Sequence, residues 1–144
     1  AVAPNFELGY FKKFQTSNVI ALKDNTYNIL SASNAAIVTS GTATLETALL
    51  RVPQMVCYKL SPLTYWIGKQ VVKVKYISLV NLILDKPAVK ELVQEDCNAL
   101  AINTELQRIM STEGLVQIQS DYVELNKTIG NIKTCEVVAQ RILA

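Results

Sequence analysis

The sequence predicts an α/β fold: a doubly wound parallel sheet followed by a helical C-terminal tail. Up to about residue 90, short apolar runs alternate with helical patterns, and the runs lack the polar alternation of a half-exposed strand. Uninterrupted apolar strands are typical of parallel sheets that are covered on both faces. Alternating β and α units of this kind assemble into doubly wound domains.

The strands and helices of this part can be bounded from their patterns. Strands are predicted at residues 19–22, 36–39, 54–58 and 76–79, with residues 1–3 as the end of another. Helices are predicted between them at residues 6–14, 26–32, 42–50 and 63–72.

The later part of the chain shows helical patterns only, at residues 88–94, 98–110, 115–129 and 134–143. Gly114 is expected to separate the second from the third, and Gly130 to end the third. The third carries one apolar stripe, which consists of Leu115, Ile118, Tyr122, Leu125 and Ile129. We therefore divide the chain into an α/β lobe at residues 1–97 and a helical extension at residues 98–144. The stripe would pack on this lobe, on another lobe or on a second subunit of a homodimer.

Composition describes one globular domain without the features of a nucleic-acid-binding protein. Half of the 144 residues are apolar and 18% are charged, which suffices for a hydrophobic core. The net charge of +2 is too small for the basic face that nucleic acid requires. No apolar run reaches the roughly 18–20 residues that span a bilayer, and we find no secretory signal. The first residue is not methionine, so we expect the chain to be excised from a longer protein.

Cysteine and histidine content restricts the chemistry. Cys57, Cys97 and Cys135 have neither metal-ligand spacing nor an even number, so we expect reduced thiols in a cytosolic protein and no metal site. Histidine is absent, which excludes Ser-His-Asp and Cys-His nucleophile systems and the usual general base. Any proton transfer would have to use Asp, Glu, Lys, Tyr or Cys.

The most informative segment is A-I-V-T-S-G-T-A-T-L-E at residues 36–46, which predicts a strand, a tight turn and a helix start. Ligands of open α/β sheets bind beyond the carboxyl ends of strands, and the free amides and dipole of a helix start attract anions. Gly41 would let the backbone approach a phosphate closely, because it has no Cβ. Simple helix capping also explains the pattern, since Ser and Thr are favoured N-caps and Glu46 suits the helix dipole.

Three segments together resemble lipid-A-disaccharide synthase, an inverting glycosyltransferase of the GT-B fold. They are T-S-G-T-A-T-L-E at residues 39–46 with P-Q-M-V at 53–56, Y-K-L-S-P-L-T-Y-W at 58–66, and V-K-Y-I-S-L-V-N-L-I at 74–83 with V-K-E-L-V-Q-E at 89–95. The first is shared loosely by many GT-B enzymes, whereas the second is far more specific. The family usually has L-P-N and P-E where this chain has Val80 and Lys90 in place of the prolines. Since both prolines rigidify loops, the roles of Asn81 and Glu91 are expected to survive.

The resemblance implies transfer of 2,3-diacylglucosamine from its UDP donor to 2,3-diacylglucosamine 1-phosphate, with release of UDP and without a cofactor. It implies a C-terminal lobe that holds the nucleotide, and an N-terminal lobe that holds the acceptor and the proposed catalytic base. This chain matches only the C-terminal, Rossmann-like lobe. We therefore expect no catalytic residue in it and no activity from it alone. The expected location is the cytoplasm, peripherally on the inner membrane of a Gram-negative bacterium.

Carried onto this sequence, the resemblance assigns three parts of the donor to named residues. Glu46 would accept hydrogen bonds from the ribose hydroxyls. The diphosphate-binding residues are those of the turn: Ser40, Gly41, Thr42 and Thr44. Three residues of the third segment fall near the donor sugar: Asn81, Glu91 and Gln94. A strand end and a solvated helix face would explain the same three residues without a ligand.

The predicted helix that begins at Leu63 has two interpretations. Aromatic residues mixed with lysines suit a membrane interface, and the implied substrates are acylated. The residues in question are Tyr65, Trp66, Lys69 and Lys73. A helix that covers a parallel sheet needs the same apolar stripe, so packing in the core is the alternative.

Two other functions fit parts of the pattern. A UDP-N-acetylglucosamine epimerase shares the architecture, but such enzymes typically carry S-G-G in the phosphate turn and use histidines, whereas Thr42 follows Gly41 here. A non-catalytic α/β module would bind a phosphate-bearing regulator or a protein partner. Its usual acidic cluster after the early strands is represented here only by Asp24 and Glu46.

Overall fold

The computed structural model describes residues 1–39, 41–61 and 75–130. Ser40, the predicted helices at residues 63–72 and 134–143, and the membrane-contact residues Tyr65, Trp66, Lys69 and Lys73 lie outside this part. The described elements follow in chain order: α1 (Leu8–Phe11), a 3-10 turn (Lys12–Phe14), α2 (Thr26–Ser31), β1 (Ala36–Val38), α3 (Thr42–Leu49), β2 (Gln54–Tyr58), α4 (Leu79–Leu84), β3 (Glu91–Val93), a second 3-10 turn (Gln94–Asp96), α5 (Ala99–Met110) and α6 (Thr112–Ile129).

Strands β1, β2 and β3 form a parallel sheet in that order. Val56 of β2 pairs with Val38 on one side and with Glu91 on the other, so β2 is the central strand. Helix α3 connects β1 to β2 and packs on both, because two parallel neighbours need a crossover connection. The prediction of an α/β fold with a parallel sheet and a helical C-terminal portion is confirmed.

The central strand is covered on both faces. Gln54, Met55 and Val56 are consecutive and each is fully buried. Since successive side chains of a strand point to opposite faces, neither face of β2 is open to water. Three residues of the apolar stripe on α6 belong to the same core: Ile118, Tyr122 and Leu125. Helix α6 therefore packs on the core of the sheet.

One buried hydrogen-bond network joins β2 to α3 and α6. The amide nitrogen Nε2 of Gln54 donates to Thr44 O at 2.8 Å and to the Tyr122 hydroxyl at 3.1 Å. The Tyr122 hydroxyl donates to Val52 O at 3.0 Å. The Tyr122 hydroxyl is protonated at neutral pH, as tyrosine ordinarily is, and burial raises the pKa of Tyr122 further above its ordinary value. Both N–H groups of the Gln54 side chain, at the centre of the sheet, are therefore paired.

Two elements predicted between residues 76 and 94 were wrong. Residues 88–94, predicted as a helix, contain strand β3 and the beginning of the second 3-10 turn. Their Ala, Leu, Lys, Glu and Gln content favours a helix, but pairing with β2 buries Leu92 and overrides this propensity. Residues 76–79, predicted as a strand, contribute one bridge, between Ser78 and Gly41, before α4 begins. The Ser78 side chain caps α4 by accepting from Asn81 N at 3.2 Å, a signal that the strand interpretation overlooked.

Three other predicted helices agree closely with the structure, whereas two predicted strands do not form. The helices expected at residues 26–32, 42–50 and 98–110 are confirmed to within one residue. The segments expected as strands at residues 1–3 and 19–22 contribute isolated bridges instead: Val2 pairs with Lys23 in parallel, and Val19 pairs with Thr16 in antiparallel. Gly130 ends α6 as expected, with a φ of +67° that favours glycine.

Gly114 lies in the first turn of α6, and the prediction that it separates two helices was wrong. The helix begins at Thr112, and the Ser111 side chain accepts from Gly114 N at 3.1 Å. A Cβ at residue 114 would lie 1.9 Å from Arg108 O and 3.2 Å from Ile109 Cα. Glycine is needed here because the last turn of α5 approaches the first turn of α6 too closely for a side chain.

Gly114→Ala is expected to lower the free energy of unfolding by about 1–3 kcal/mol, because its methyl group overlaps backbone that can move only by separating α5 from α6. Urea unfolding followed by circular dichroism measures this. Gly9→Ala is the matched control: outside its own helix and chain neighbours, no described atom lies within 4 Å of a Cβ at that position, and alanine favours a helix by up to about 1 kcal/mol. Equal stabilities of the two variants would contradict this account of the α5–α6 junction.

Candidate functional site

The turn after β1 lies at the carboxyl edge of the sheet and opens α3. Gly41 is the N-cap residue, with φ +90° and ψ −156°, a conformation that is accessible to glycine and strained for other residues. Because glycine has no side chain, it cannot cap the helix. Thr42 and Ala43 follow it at the exposed start of α3. An uncapped helix start of this kind presents amides and a positive dipole end to an anion.

The Thr44 side chain holds the turn in place by hydrogen bonds. Its side chain is fully buried, and its hydroxyl donates to Gly41 O at 2.8 Å and accepts from Leu79 N at 3.2 Å. Gly41 is also bridged to Ser78. The hydroxyl predicted to contact a diphosphate is thus used within the protein, where it joins the turn to the start of α4.

Glu91 and Asn81, both predicted near a donor sugar, hold the backbone beside this turn. The Glu91 carboxylate accepts from Ile77 N at 3.0 and 3.1 Å, from Ser78 N at 2.9 Å and from Asn81 Nδ2 at 2.9 Å. Asn81 is 1% exposed, and its amide also donates to Val89 O at 2.8 Å and accepts from Val89 N at 2.9 Å. Glu91 therefore orders the segment that leads into α4, and Asn81 joins α4 to the residues at the start of β3.

Gln94, the third residue predicted near a donor sugar, lies directly after β3. Its Oε1 accepts from Leu60 N at 2.6 Å and its Nε2 donates to Leu60 O at 3.2 Å. These two bonds hold the loop after β2 against the end of β3. Gln94 is thus at the same edge of the sheet as the turn.

Glu46 lies about one turn into α3 and is half-buried. Its Oε2 accepts a hydrogen bond from the Tyr27 hydroxyl of α2 at 2.9 Å. That hydrogen bond, then the charge of the carboxylate and a little desolvation, raise the pKa of Tyr27 above its ordinary value. Tyr27 was missed in the sequence analysis because no spacing rule connects it to a residue 19 positions later; the contact depends on how α2 and α3 lie in the fold.

A concave surface of about 630 Å³ next to Asn81 and Glu91 is lined by charged side chains of several elements. Its cations are largely paired with carboxylates. Lys86 Nζ lies 2.6 Å from Asp121 Oδ1 and 2.5 Å from Glu124 Oε2, and the hydrogen bond to Asp121, followed by that to Glu124, raises the pKa of Lys86. These ion pairs tie the α4–β3 loop to α6, so the surface has a structural explanation without a ligand.

A parallel sheet with a glycine turn and a helix start at its carboxyl edge defines the class of this protein as a Rossmann-like α/β lobe. Across residues 1–39, 41–61 and 75–130, no helix is long and apolar enough to cross a membrane. Within the same residues, no three His, Cys, Asp or Glu side chains are grouped as metal ligands would be.

Comparison with known proteins identifies the family. The family model of lipid-A-disaccharide synthetase matches residues 3–143. The chain is 36% identical over 124 residues to the lipid-A-disaccharide synthase of Photobacterium profundum, 33% over 116 residues to that of Coxiella burnetii and 39% over 93 residues to that of Geobacter sulfurreducens. These alignments cover 86%, 81% and 65% of this chain, but 32%, 31% and 24% of the relatives.

The chain belongs to the lipid-A-disaccharide synthase family, a family of glycosyltransferases in lipid A biosynthesis, and the resemblance found in the sequence is confirmed. It spans about a third or less of the length of the relatives it matches.

Glu91→Gln is expected to loosen the segment before α4, because an amide NH₂ would then face N–H groups that now share a carboxylate. Hydrogen bonds to a charged group are each worth about 1.5–3 kcal/mol. Hydrogen exchange followed by NMR should therefore be faster at the Ile77 and Ser78 amides, and urea unfolding should occur at a lower concentration. Glu95→Gln, at an exposed position nearby, is the control and should change neither. Unchanged exchange at both amides in Glu91→Gln would refute this role of the carboxylate.

Proposed function

We propose that this chain is the donor-binding lobe of a lipid-A-disaccharide synthase and holds the UDP part of UDP-2,3-diacylglucosamine. The geometry of α3 carries the proposal: a glycine turn opens the helix, and the Glu46 carboxylate follows about one turn later. A nucleoside diphosphate needs amide donors for its phosphates and an acceptor for its ribose hydroxyls. The family match favours this function over the epimerase and the non-catalytic module, which the turn alone left open.

The diphosphate is assigned to Ser40, Gly41 and Thr42, with Thr44 supporting the turn. Apart from the chain neighbours of Gly41, no atom of the described residues lies within 4 Å of the position that a Cβ would occupy there, which leaves room for a phosphate to approach the backbone. UDP is the leaving group of the proposed reaction, so negative charge grows on its terminal phosphate in the transition state. Amides and a helix dipole directed at that charge stabilise the transition state more than the ground state.

The donor sugar is assigned to the vicinity of Asn81, Glu91 and Gln94. Because all three side chains hydrogen-bond to the protein backbone, we propose that they shape the edge of the sheet around the sugar. This assignment gives them a positioning role and leaves the recognition of the nucleotide to the turn and to Glu46.

The whole reaction requires more than this chain. We propose that the full-length enzyme transfers 2,3-diacylglucosamine to 2,3-diacylglucosamine 1-phosphate without a cofactor, and that the N-terminal lobe supplies the acceptor site and the base. This chain would then contain no catalytic residue and be inactive alone. Because both substrates are acylated, we propose a location on the cytoplasmic surface of the inner membrane. The membrane contact would use Tyr65, Trp66, Lys69 and Lys73.

Glu46→Ala is expected to weaken UDP binding about tenfold or more, because removal of one charge-assisted hydrogen bond costs about 1.5–3 kcal/mol. Isothermal titration calorimetry of the chain with UDP measures the affinity. Glu7→Ala, which removes a carboxylate from an exposed position outside the site, is the matched control and should bind UDP as the wild type does. An unchanged affinity in a folded Glu46→Ala variant would contradict the assignment of the ribose to Glu46.

A further inference from the structure

Tyr27 combines an exposed ring with a hydrogen bond to the carboxylate assigned to the ribose. It lies in the first turn of α2, is 60% exposed, and its hydroxyl is 2.9 Å from Glu46 Oε2. None of the residues of α2 is buried. Packing of the core therefore does not explain the position of this tyrosine.

We propose that Tyr27 is a positioning residue for ribose recognition; this inference rests on the proposed role of Glu46. A carboxylate has two oxygens, and ribose presents two adjacent hydroxyls. With Oε2 held by Tyr27, rotation of the Glu46 side chain is restricted, and Oε1 together with the remaining lone pair of Oε2 is available to the diol. A side chain that is already ordered loses less rotamer freedom when the ligand binds.

The chemistry of the pair suits this role. A phenol donates to a carboxylate only while it is protonated. A tyrosine hydroxyl is ordinarily protonated at neutral pH, and the hydrogen bond to Glu46 raises the pKa of Tyr27 further. The hydroxyl therefore acts as a constant donor over the pH range in which UDP binding would be measured.

The test compares UDP with 2′,3′-dideoxyuridine diphosphate, which keeps the base and the phosphates but lacks the diol. Tyr27→Phe removes the hydroxyl and keeps the ring. It should weaken UDP binding about 3- to 10-fold, as expected for one lost hydrogen bond, and leave the affinity for the dideoxy ligand unchanged. A merely structural defect would weaken both ligands equally. Tyr10→Phe is the matched control: Tyr10 is 61% exposed, and loss of its hydroxyl should affect neither affinity.

The outcomes separate this inference from the proposed function. If the wild-type chain prefers UDP over the dideoxy ligand and Tyr27→Phe keeps the same preference, the role of Tyr27 is overturned and the proposed function stands. If the wild-type chain does not bind UDP, the proposed function is overturned, and this inference with it.

A second measurement examines the contact without altering Tyr27. NMR titration of chain labelled with ¹³C at tyrosine Cζ reports the pKa of each tyrosine, and Glu46→Gln removes the charged acceptor. The pKa of Tyr27 should then fall towards its ordinary value. A Tyr27 pKa that is the same with glutamine as with glutamate at residue 46 would overturn the inference.

Discussion

The Glu91 carboxylate accepts hydrogen bonds from Ile77 N, Ser78 N and the Asn81 side-chain amide. Much of the backbone at the carboxyl edge of the sheet is held by these bonds. The amides before and at the start of a short helix have no partners within that helix. Glu91 supplies those partners from β3, and the ordered segment in turn bridges the turn at Gly41. The Glu91 side chain on β3 thereby fixes the backbone at Ile77 and Ser78, which lies beside the turn that follows β1.

Polar residues in this lobe divide into those that hold the backbone and those that face solvent. Thr44 and Asn81 are fully buried or nearly so, and both bond to backbone groups, with Asn81 also bonded to the Glu91 carboxylate. Glu46 and Tyr27 are far more accessible and bond to each other through their side chains. A rigid frame of buried polar groups allows a small accessible pair to keep its geometry, which is the arrangement that selective binding of a diol requires.

Sequence patterns predicted the parts of the fold that depend on local periodicity. The apolar runs of β1 and β2 were predicted because strands that are buried on both faces consist of consecutive apolar residues. The glycine turn before α3 was predicted because the residues at a helix start follow a recognisable pattern. Strand β3 was missed because its residues favour a helix in isolation, and only pairing with β2 makes it a strand. The contacts of Glu91 and the Tyr27–Glu46 pair were missed for a related reason: each joins residues that no periodic rule relates, so they are known only once the chain is folded.

The link between Tyr122 and Val52 joins residues that are 70 positions apart, and this separation has a consequence during synthesis on the ribosome. The central strand leaves the exit tunnel well before α6, so for that interval Gln54 lacks its tyrosine partner. Long-range contacts of this kind form late because the loop between the partners has to be closed first. The sheet and its helices should therefore complete their folding only after α6 has emerged. Nascent chains that stall earlier would be substrates for chaperones or proteases.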